Sequence, residues 1–284
     1  MLWNAFFISR PASSRRVTSF RGAAVDEAAA PVNGTHPEGA VTEADASNKV
    51  REMFTQIAPR YDLLNHLLSL QLDRLWRART AKILRPILER SDALVLDLCC
   101  GTGDLAFALA RAGKARIVGA DFAHTMLVRA REKGAAAVSA VSEIAATPLP
   151  FFEADALRLP FAGSSFDLVT SAFGFRNLAN YQAGLREIQR VLKPGGTIAI
   201  LEFAEPPEGL WGDFYRWYFC KVLPRIGGLI SGNQSAYTYL PKSVARFFRP
   251  PELAALMGEV GYHSVDYRIW TLGTVALHTG LRVK

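Results

Sequence analysis

Apolar positions recur at helical spacing from Ser47 to Arg85. Met53, Phe54 and Ile57 form one set, Leu64, Leu67 and Leu68 a second, and Leu72, Leu75, Trp76, Ile83 and Leu84 a third. Pro59 and Asp73 interrupt the run, which predicts three short helices. The period then changes. Leu94–Leu98 is a short, nearly continuous apolar run of the kind that a parallel strand covered on both faces requires. Asp97 lies near its end, and Gly101-Thr-Gly103 follows. A helix is expected over Asp104–Arg111, a second strand over Ile117–Ala120 ending at Asp121, and a helix over His124–Lys133. Phe151–Glu153 and Phe166–Ala172 read as the third and fourth strands, Gln182–Leu192 as a helix and Thr197–Phe203 as the fifth strand. Strands alternating with helices mean βαβ units and a parallel sheet. Ser264–Trp270 and Thr274–Thr279, linked tightly at Gly273, predict an antiparallel hairpin on the sheet edge. The fold class is therefore α/β, a doubly wound, mostly parallel seven-stranded sheet with N-terminal helices.

Between the fifth strand and Pro251 the alternation breaks. About 45 residues intervene, with a run of Trp211, Phe214, Tyr215, Trp217, Tyr218 and Phe219. Trp211, Phe214, Trp217 and Tyr218 fall on one broad helical face. Such a face either packs on the core or caps an apolar pocket. A helical cap insertion is expected over about 204–250.

The 284 residues are half hydrophobic and 21% charged, which excludes a mainly disordered or collagen-like chain. Three cysteines (Cys99, Cys100, Cys220) make no disulfide framework or zinc spacing, so no metal is expected and a reducing compartment fits. The net charge of +7 is uneven: residues 1–48 carry −1 and the rest +8. A basic body is compatible with an anionic surface or an acidic ligand, and equally with solubility alone. Residues 1–48, rich in Ala, Ser, Pro and Gly, read as a disordered tail. The first 25 contain four arginines and no acid, as in a transit peptide. A tail without function, an organelle presequence and a partner-binding arm are the three readings of this segment.

The candidate chemistry gathers at strand ends. Gly101 and Gly103 after the first strand let backbone approach a ligand, as in a dinucleotide fingerprint. Asp97 before them changes the picture. A dinucleotide pyrophosphate is anionic and has no use for that acid, whereas a methionine amino group is cationic. Asp121, at the end of the second strand, would accept both ribose hydroxyls. The Asp155-Ala156 pair after the third strand would hold an adenine. The ligand these features favour is S-adenosylmethionine. Gly195-Gly196 before the fifth strand is expected to end the preceding helix.

With these residues assembled, the chain resembles the ubiquinone/menaquinone biosynthesis C-methyltransferases over roughly residues 49–284. The likeness rests on Tyr61-Asp-Leu-Leu-Asn65 with Ser69, Asp73-Arg-Leu-Trp-Arg77, Gly174-Phe-Arg-Asn177, Arg190-Val-Leu-Lys-Pro-Gly-Gly196 through Leu201-Glu-Phe203, Ser235–Leu240 and Val275-Ala-Leu-His278. It implies a class I, Rossmann-like methyltransferase domain over 49–284. Thr102, Asp121, Asp155 and Ala156 become the cofactor contacts, with Asp97, Gly101 and Gly103 beside them. The family often has serine where this chain has Ala172, and a histidine where it has Asp73. The reaction implied is transfer of a methyl group to a ring carbon of a polyprenyl quinol, first demethylmenaquinol and second the benzoquinol of ubiquinone synthesis. Arg176 and Asn177, after the fourth strand, are the candidates for binding ring oxygens, and Tyr61, Asp62, Asn65 and His66 for closing the site. A structural ion pair is the other reading for Arg176, and a surface helix position for His66. The partners expected are the prenylated quinol, a membrane surface contacted peripherally and a second copy in a homodimer, with no nucleic acid. The expected location is cytoplasmic, against the inner membrane. An NAD-dependent dehydrogenase and a non-enzymatic scaffold of a quinone-synthesis complex are the rivals of other classes.

Overall fold

A computed structural model describes residues 33–140, 148–206, 208–222, 224–225 and 234–283, apart from the side chains of 60, 64, 65, 67, 68, 137–140 and 234–238. The tail and presequence readings fall on residues 1–32, outside the described residues. Structure begins earlier than Ser47, however. Asn33 bridges to Asn180, Thr35 donates its N–H to Leu178, and Ala40 and Ala46 are buried. Thr42 then caps α1 (Glu43–Ile57) by accepting from the Asp45 N–H, while Asp45 accepts from the Thr42 N–H in return. Residues 33–48 thus belong to the packed body rather than to a tail.

Pro59 sits in a 3₁₀ turn that links α1 to α2 (Tyr61–Leu68). The next break falls at Leu70 and Gln71, both left-handed (φ 52° and 65°), and not at Asp73. Asp73 instead lies in the first turn of α3 (Leu72–Leu88), where an acid meets the positive end of the helix.

The sheet has the expected seven strands. They are β1 (Leu94–Leu98), β2 (Arg116–Asp121), β3 (Phe151–Glu153), β4 (Phe166–Ala172), β5 (Leu192–Phe203), β6 (Tyr262–Trp270) and β7 (Val275–Arg282). Their order is β3-β2-β1-β4-β5-β7-β6; β1 to β5 pair in parallel, while β7 pairs antiparallel with both β5 and β6. The hairpin therefore extends the sheet edge, as its two alternating runs predict.

Both faces are covered, which explains why β1 is apolar at successive positions. Leu96 and Leu98 pack in one cluster with α6 (Tyr181–Val191) and α9 (Pro250–Val260). Val95 points to the other face, among α3, α4 (Asp104–Arg111) and α5 (His124–Ala140). Chain direction across the sheet reverses between β1 and β4. Ligands of doubly wound sheets bind in the crevice at the carboxyl end of such a switch.

One local expectation is corrected. Gly195-Gly196 does not end α6, which stops at Val191 with Leu192 already extended. The glycines lie inside β5, where pairing with β4 jumps from Phe166↔Leu192 to Leu168↔Thr197. Gly195 takes φ 76° there, so the pair makes a bulge.

Candidate functional site

The β1–α4 loop turns on three left-handed residues, Cys99 (φ 54°), Gly101 (φ 54°) and Gly103 (φ 84°). A Cβ on Gly103 would lie 2.9 Å from Phe107 and 3.0 Å from Phe151. Gly103 therefore turns the chain into α4 and does not line the cleft. Gly101 does line it. A Cβ there would meet only the Tyr61 ring at 3.9 Å, so its backbone is open to a ligand.

Around this loop a cleft collects Asp97, Gly101, Thr102, Asp121, Asp155 and Ala156, together with Tyr61 and Asn177. Asp121 Oδ2 accepts from the Gly101 N–H at 2.8 Å and Oδ1 from the Ala123 N–H at 2.9 Å, which fixes the carboxylate at the strand end. Burial pushes its pKa up to about 6. Asp97 is deeper. Its Oδ1 accepts from Thr170 Oγ1 at 2.8 Å, while Oδ2 is fully buried with no hydrogen-bond partner among the described residues. Burial raises this carboxyl to about 7. An orphaned carboxylate oxygen facing a cleft is costly unless a cation or donor meets it. The donor set fits S-adenosylmethionine: Asp97 for the ammonium, Asp121 for the ribose hydroxyls, Asp155 and Ala156 for the adenine. Asp155 holds its own loop by accepting from the Leu157 N–H at 2.9 Å.

Thr102 faces α2. Its hydroxyl donates to Asp62 at 2.5 Å, and Lys133 reaches Thr102, Asp62 and Asp104 at 3.1, 2.8 and 2.5 Å. This cluster clamps the N-terminal helices onto the glycine loop. Ala172 lines the cleft where the family often has serine, and Ser171 does not.

A second cavity of about 240 Å³ lies beside the first, under the insertion. Its walls are largely apolar: Met53, Ile57, Leu72, Trp76, Phe203 and Phe219 contribute. Phe54, Tyr61, Arg77 and Phe173 line both spaces, so one wall of four residues separates them. The insertion supplies α7 (Leu210–Trp217), a π turn (Tyr218–Val222) and α8 (Gln234–Arg246). Tyr215 and Phe219 are its inward side, stacked at 5.1 Å, with Phe219 5.9 Å from Phe203. Trp211, Phe214 and Trp217 form an outward ridge, 40–56% exposed, and Trp211 and Phe214 reach the cavity rim. The aromatic face is thus no core face.

Arg176 lies in this second cavity and not in the cleft. It is buried, donates to both Glu202 oxygens at 2.9 and 3.1 Å and to the Phe173 carbonyl, and lies over the Phe203 ring at 5.4 Å. The ion-pair reading of Arg176 is therefore realised, with Glu202 on the neighbouring strand. Asn177 lines the cleft and accepts from the Tyr239 hydroxyl at 3.0 Å. Tyr61 stands at the shared wall. The Asn65 side chain lies outside the described residues. His66 is no free surface residue, since its Nδ1 donates to Asp73 at 2.7 Å.

Sequence reasoning missed Phe173, Arg77 and Glu202 as parts of the site. Phe173 had a signal, as the residue directly after β4 at the carboxyl edge, with φ 59°. Arg77 had one too, four residues after Asp73 on the same helix face. Glu202 had none beyond its place in an apolar strand.

Comparison with known proteins agrees with this geometry. A sequence model of the ubiE/COQ5 methyltransferase family matches residues 42–282. A demethylmenaquinone methyltransferase of Thermus thermophilus is 51% identical over 81% of this chain and 100% of its own length. One from Deinococcus radiodurans is 48% identical over 83% of this chain and 93% of its own. A ubiquinone/menaquinone biosynthesis C-methyltransferase of Geobacter sulfurreducens is 42% identical over 83% and 89%. Among solved structures, a SAM-dependent methyltransferase from Thermotoga maritima superposes with TM-score 0.57 at 18% identity, covering 81% of this chain and 99% of that one.

Proposed function

The chain belongs to the ubiE/COQ5 methyltransferase family, and from that premise we propose that it methylates a ring carbon of a prenylated quinol, converting demethylmenaquinol to menaquinol. It is an S-adenosylmethionine-dependent C-methyltransferase. The observation that carries the choice of substrate is the apolar cavity that meets the cofactor cleft across Phe54, Tyr61, Arg77 and Phe173. A quinol ring enters that cavity, and the prenyl tail runs out past Trp211 and Phe214.

S-adenosylmethionine, held by Asp97, Thr102, Asp121, Asp155 and Ala156, supplies an electrophilic methyl group. The ring carbon beside a quinol oxygen is the nucleophile. The protein's part is alignment, which reduces the barrier by presetting the reacting geometry, and water exclusion by the aromatic lining. Asn177, from the cleft side, and Arg176, from the cavity floor, address the ring oxygens. Tyr61 at the shared wall closes over them. The benzoquinol of ubiquinone synthesis is the second reading, since the name of the Geobacter relative covers both pathways.

No helix among the described residues is long and apolar enough to cross a membrane. The outward ridge of α7 with Arg216 and Lys221 supports peripheral contact with an anionic lipid surface on the cytoplasmic side, where the tailed substrate resides. Quinone profiling of cells lacking the protein tests the substrate. Accumulated demethylated naphthoquinone is expected. An accumulated benzoquinone intermediate with unchanged menaquinone would favour the second reading.

A further inference from the structure

Asp73 is the one carboxylate among the described residues lining the apolar cavity. It is 3% exposed. Ser69 Oγ donates to its Oδ1 at 2.7 Å, His66 Nδ1 to its Oδ2 at 2.7 Å, and Arg77 Nη1 also binds Oδ2. His66 comes from α2, Ser69 from the turn that follows it and Arg77 from α3, so the carboxylate is fixed from both sides of that turn. Buried ion pairs contribute little to stability compared with apolar residues of the same volume. A fixed carboxylate at the edge of an otherwise greasy cavity, beside the wall shared with the cofactor cleft, thus calls for a chemical use.

Methyl transfer leaves one proton to be removed. The ring carbon gives an electron pair to the methyl, the carbon–sulfur pair stays with sulfur, and the ring then carries both hydrogen and methyl on one carbon with a positive charge. We propose that Asp73 accepts that ring proton, the C–H pair returning to the ring to restore aromaticity; this rests on the quinol reading above. The proton passes to water when the product leaves the cavity. His66 and Ser69 are positioning residues that aim the carboxylate.

Other groups fit the task less well. Glu202 is paired with Arg176 and, unlike Asp73, is not among the residues that line the cavity. Asp97, Asp121 and Asp155 belong to the cofactor side. Burial pushes the Tyr215 phenol well above its ordinary range, so it keeps its proton. Burial opposes charge on Asp73 as well, yet the Ser69 hydroxyl, the Arg77 guanidinium and His66 outweigh it and hold its pKa below the usual value. A carboxylate so held is a weak base. The proton concerned is strongly acidic, because its loss restores the aromatic ring, and a weak base suffices.

The test uses the full chain, S-adenosylmethionine, and demethylmenaquinol carrying hydrogen or deuterium at the methylated carbon. For the wild type the expected isotope effect is near unity, with methyl transfer limiting the rate. Asp73→Asn is expected to slow turnover by about 10²–10⁴-fold, to leave cofactor binding by calorimetry within about threefold, and to raise the isotope effect well above unity, because proton loss becomes limiting. A purely structural role would not create an isotope effect. Asp73→His restores a base, recovers part of the rate, and should lose activity as pH falls through the imidazole range, ~6.5. The charged groups around that imidazole are His66 on α2, Arg77 on α3, Asp104 on α4 and Arg176 across the cavity. Folded Asp73→Asn that keeps its turnover, or loses it with the isotope effect still near unity, overturns the proposal. If Asp73→Asn does not fold, the histidine variant decides, and a flat pH profile overturns it. Wild-type protein that methylates no quinol refutes the substrate reading instead, before any variant is compared.

Discussion

The cofactor cleft and the apolar cavity share one wall, but their charges are arranged in opposite ways. In the cavity every charge is already matched from within: Arg176 by Glu202, Asp73 by Arg77 and His66. In the cleft the carboxylates of Asp97 and Asp121 are buried with no cation on them, and Asp97 Oδ2 has no partner at all among the described residues. A paired charge is stable in the fold without a ligand, whatever further role it has in the reaction. Unpaired ones are held for a ligand, and the fold bears their desolvation until the ligand comes. The contrast supports the proposal that the cleft takes the cationic cofactor and the cavity the neutral, apolar substrate.

The largest expected effect comes from breaking a pair. Arg176→Ala leaves Glu202 charged, buried and alone, and should lower stability by about 3–5 kcal/mol, read from denaturant unfolding. Arg176→Ala combined with Glu202→Leu should recover much of the stability while turnover stays low. If the single variant is as stable as the wild type, the pairing is not structural.

Asp121→Ala comes next, and it should act on the other currency. Each charge-assisted hydrogen bond to a ribose hydroxyl is worth ~1.5–3 kcal/mol, so cofactor affinity should fall about 10–100-fold in calorimetry. Melting temperature without cofactor should not fall, because a desolvated carboxylate has been removed. A large loss of stability with unchanged affinity would reverse the assignment.

Much of the cleft was legible because it is written contiguously. Asp97, Gly101 and Thr102 lie within six residues, Asp121 ends β2, and Asp155 lies two residues past the end of β3. The parallel sheet brings consecutive strand ends to one edge, so a sequence pattern there is also a spatial one. The cavity is different. Met53, Trp76, Phe173, Phe203, Trp211 and Tyr239 come from segments far apart in sequence, and no local spacing marks them as one wall. Only the resemblance pointed to the Tyr61–Arg77 block. The Arg176–Glu202 pair was invisible because its partners lie on different elements. Gly195-Gly196 was read as a helix cap because left-handed glycines serve caps and bulges alike. Residues 33–48 were assigned to the tail because their first anchors are backbone bonds to Leu178 and Tyr181, which composition does not reveal.

A smaller effect concerns pH. Asp97 titrates at about 7 and Asp121 at about 6 in the unliganded fold, both raised by burial. Unfolded, each carboxyl has a pKa of ~3.9. The folded state therefore binds protons more tightly, and these two groups make the unliganded protein gain stability as pH falls from about 7 towards 4. An ammonium on Asp97 has the opposite preference and holds the carboxylate ionised. Cofactor affinity should be flat above pH 7 and fall by up to ~10-fold per pH unit just below it. In Asp97→Asn the affinity should be weaker and the step near pH 7 gone. A step that persists in that variant would locate the titration elsewhere.

The smallest effect belongs to the cap. Trp211 and Phe214 are about half exposed, so replacing both with Ala should cost far less than the 3–5 kcal/mol of a fully buried aromatic. KM for a prenylated quinol should rise severalfold, and KM for a tail-less analogue should stay unchanged. Parallel loss on both substrates with a large fall in melting temperature would make this helix core after all.

The central claim is that a cationic methyl donor and an apolar ring meet across Phe54, Tyr61, Arg77 and Phe173. The most direct measurement is single-turnover reaction of the purified full chain with methyl-deuterated S-adenosylmethionine and demethylmenaquinol, with the product resolved by mass spectrometry and NMR. One labelled methyl on the vacant ring carbon, formed at a rate that falls when Phe173 is changed to Ala while the cofactor still binds, is the predicted result. Label on a quinol oxygen, or cofactor bound and no labelled quinone formed, would contradict the account.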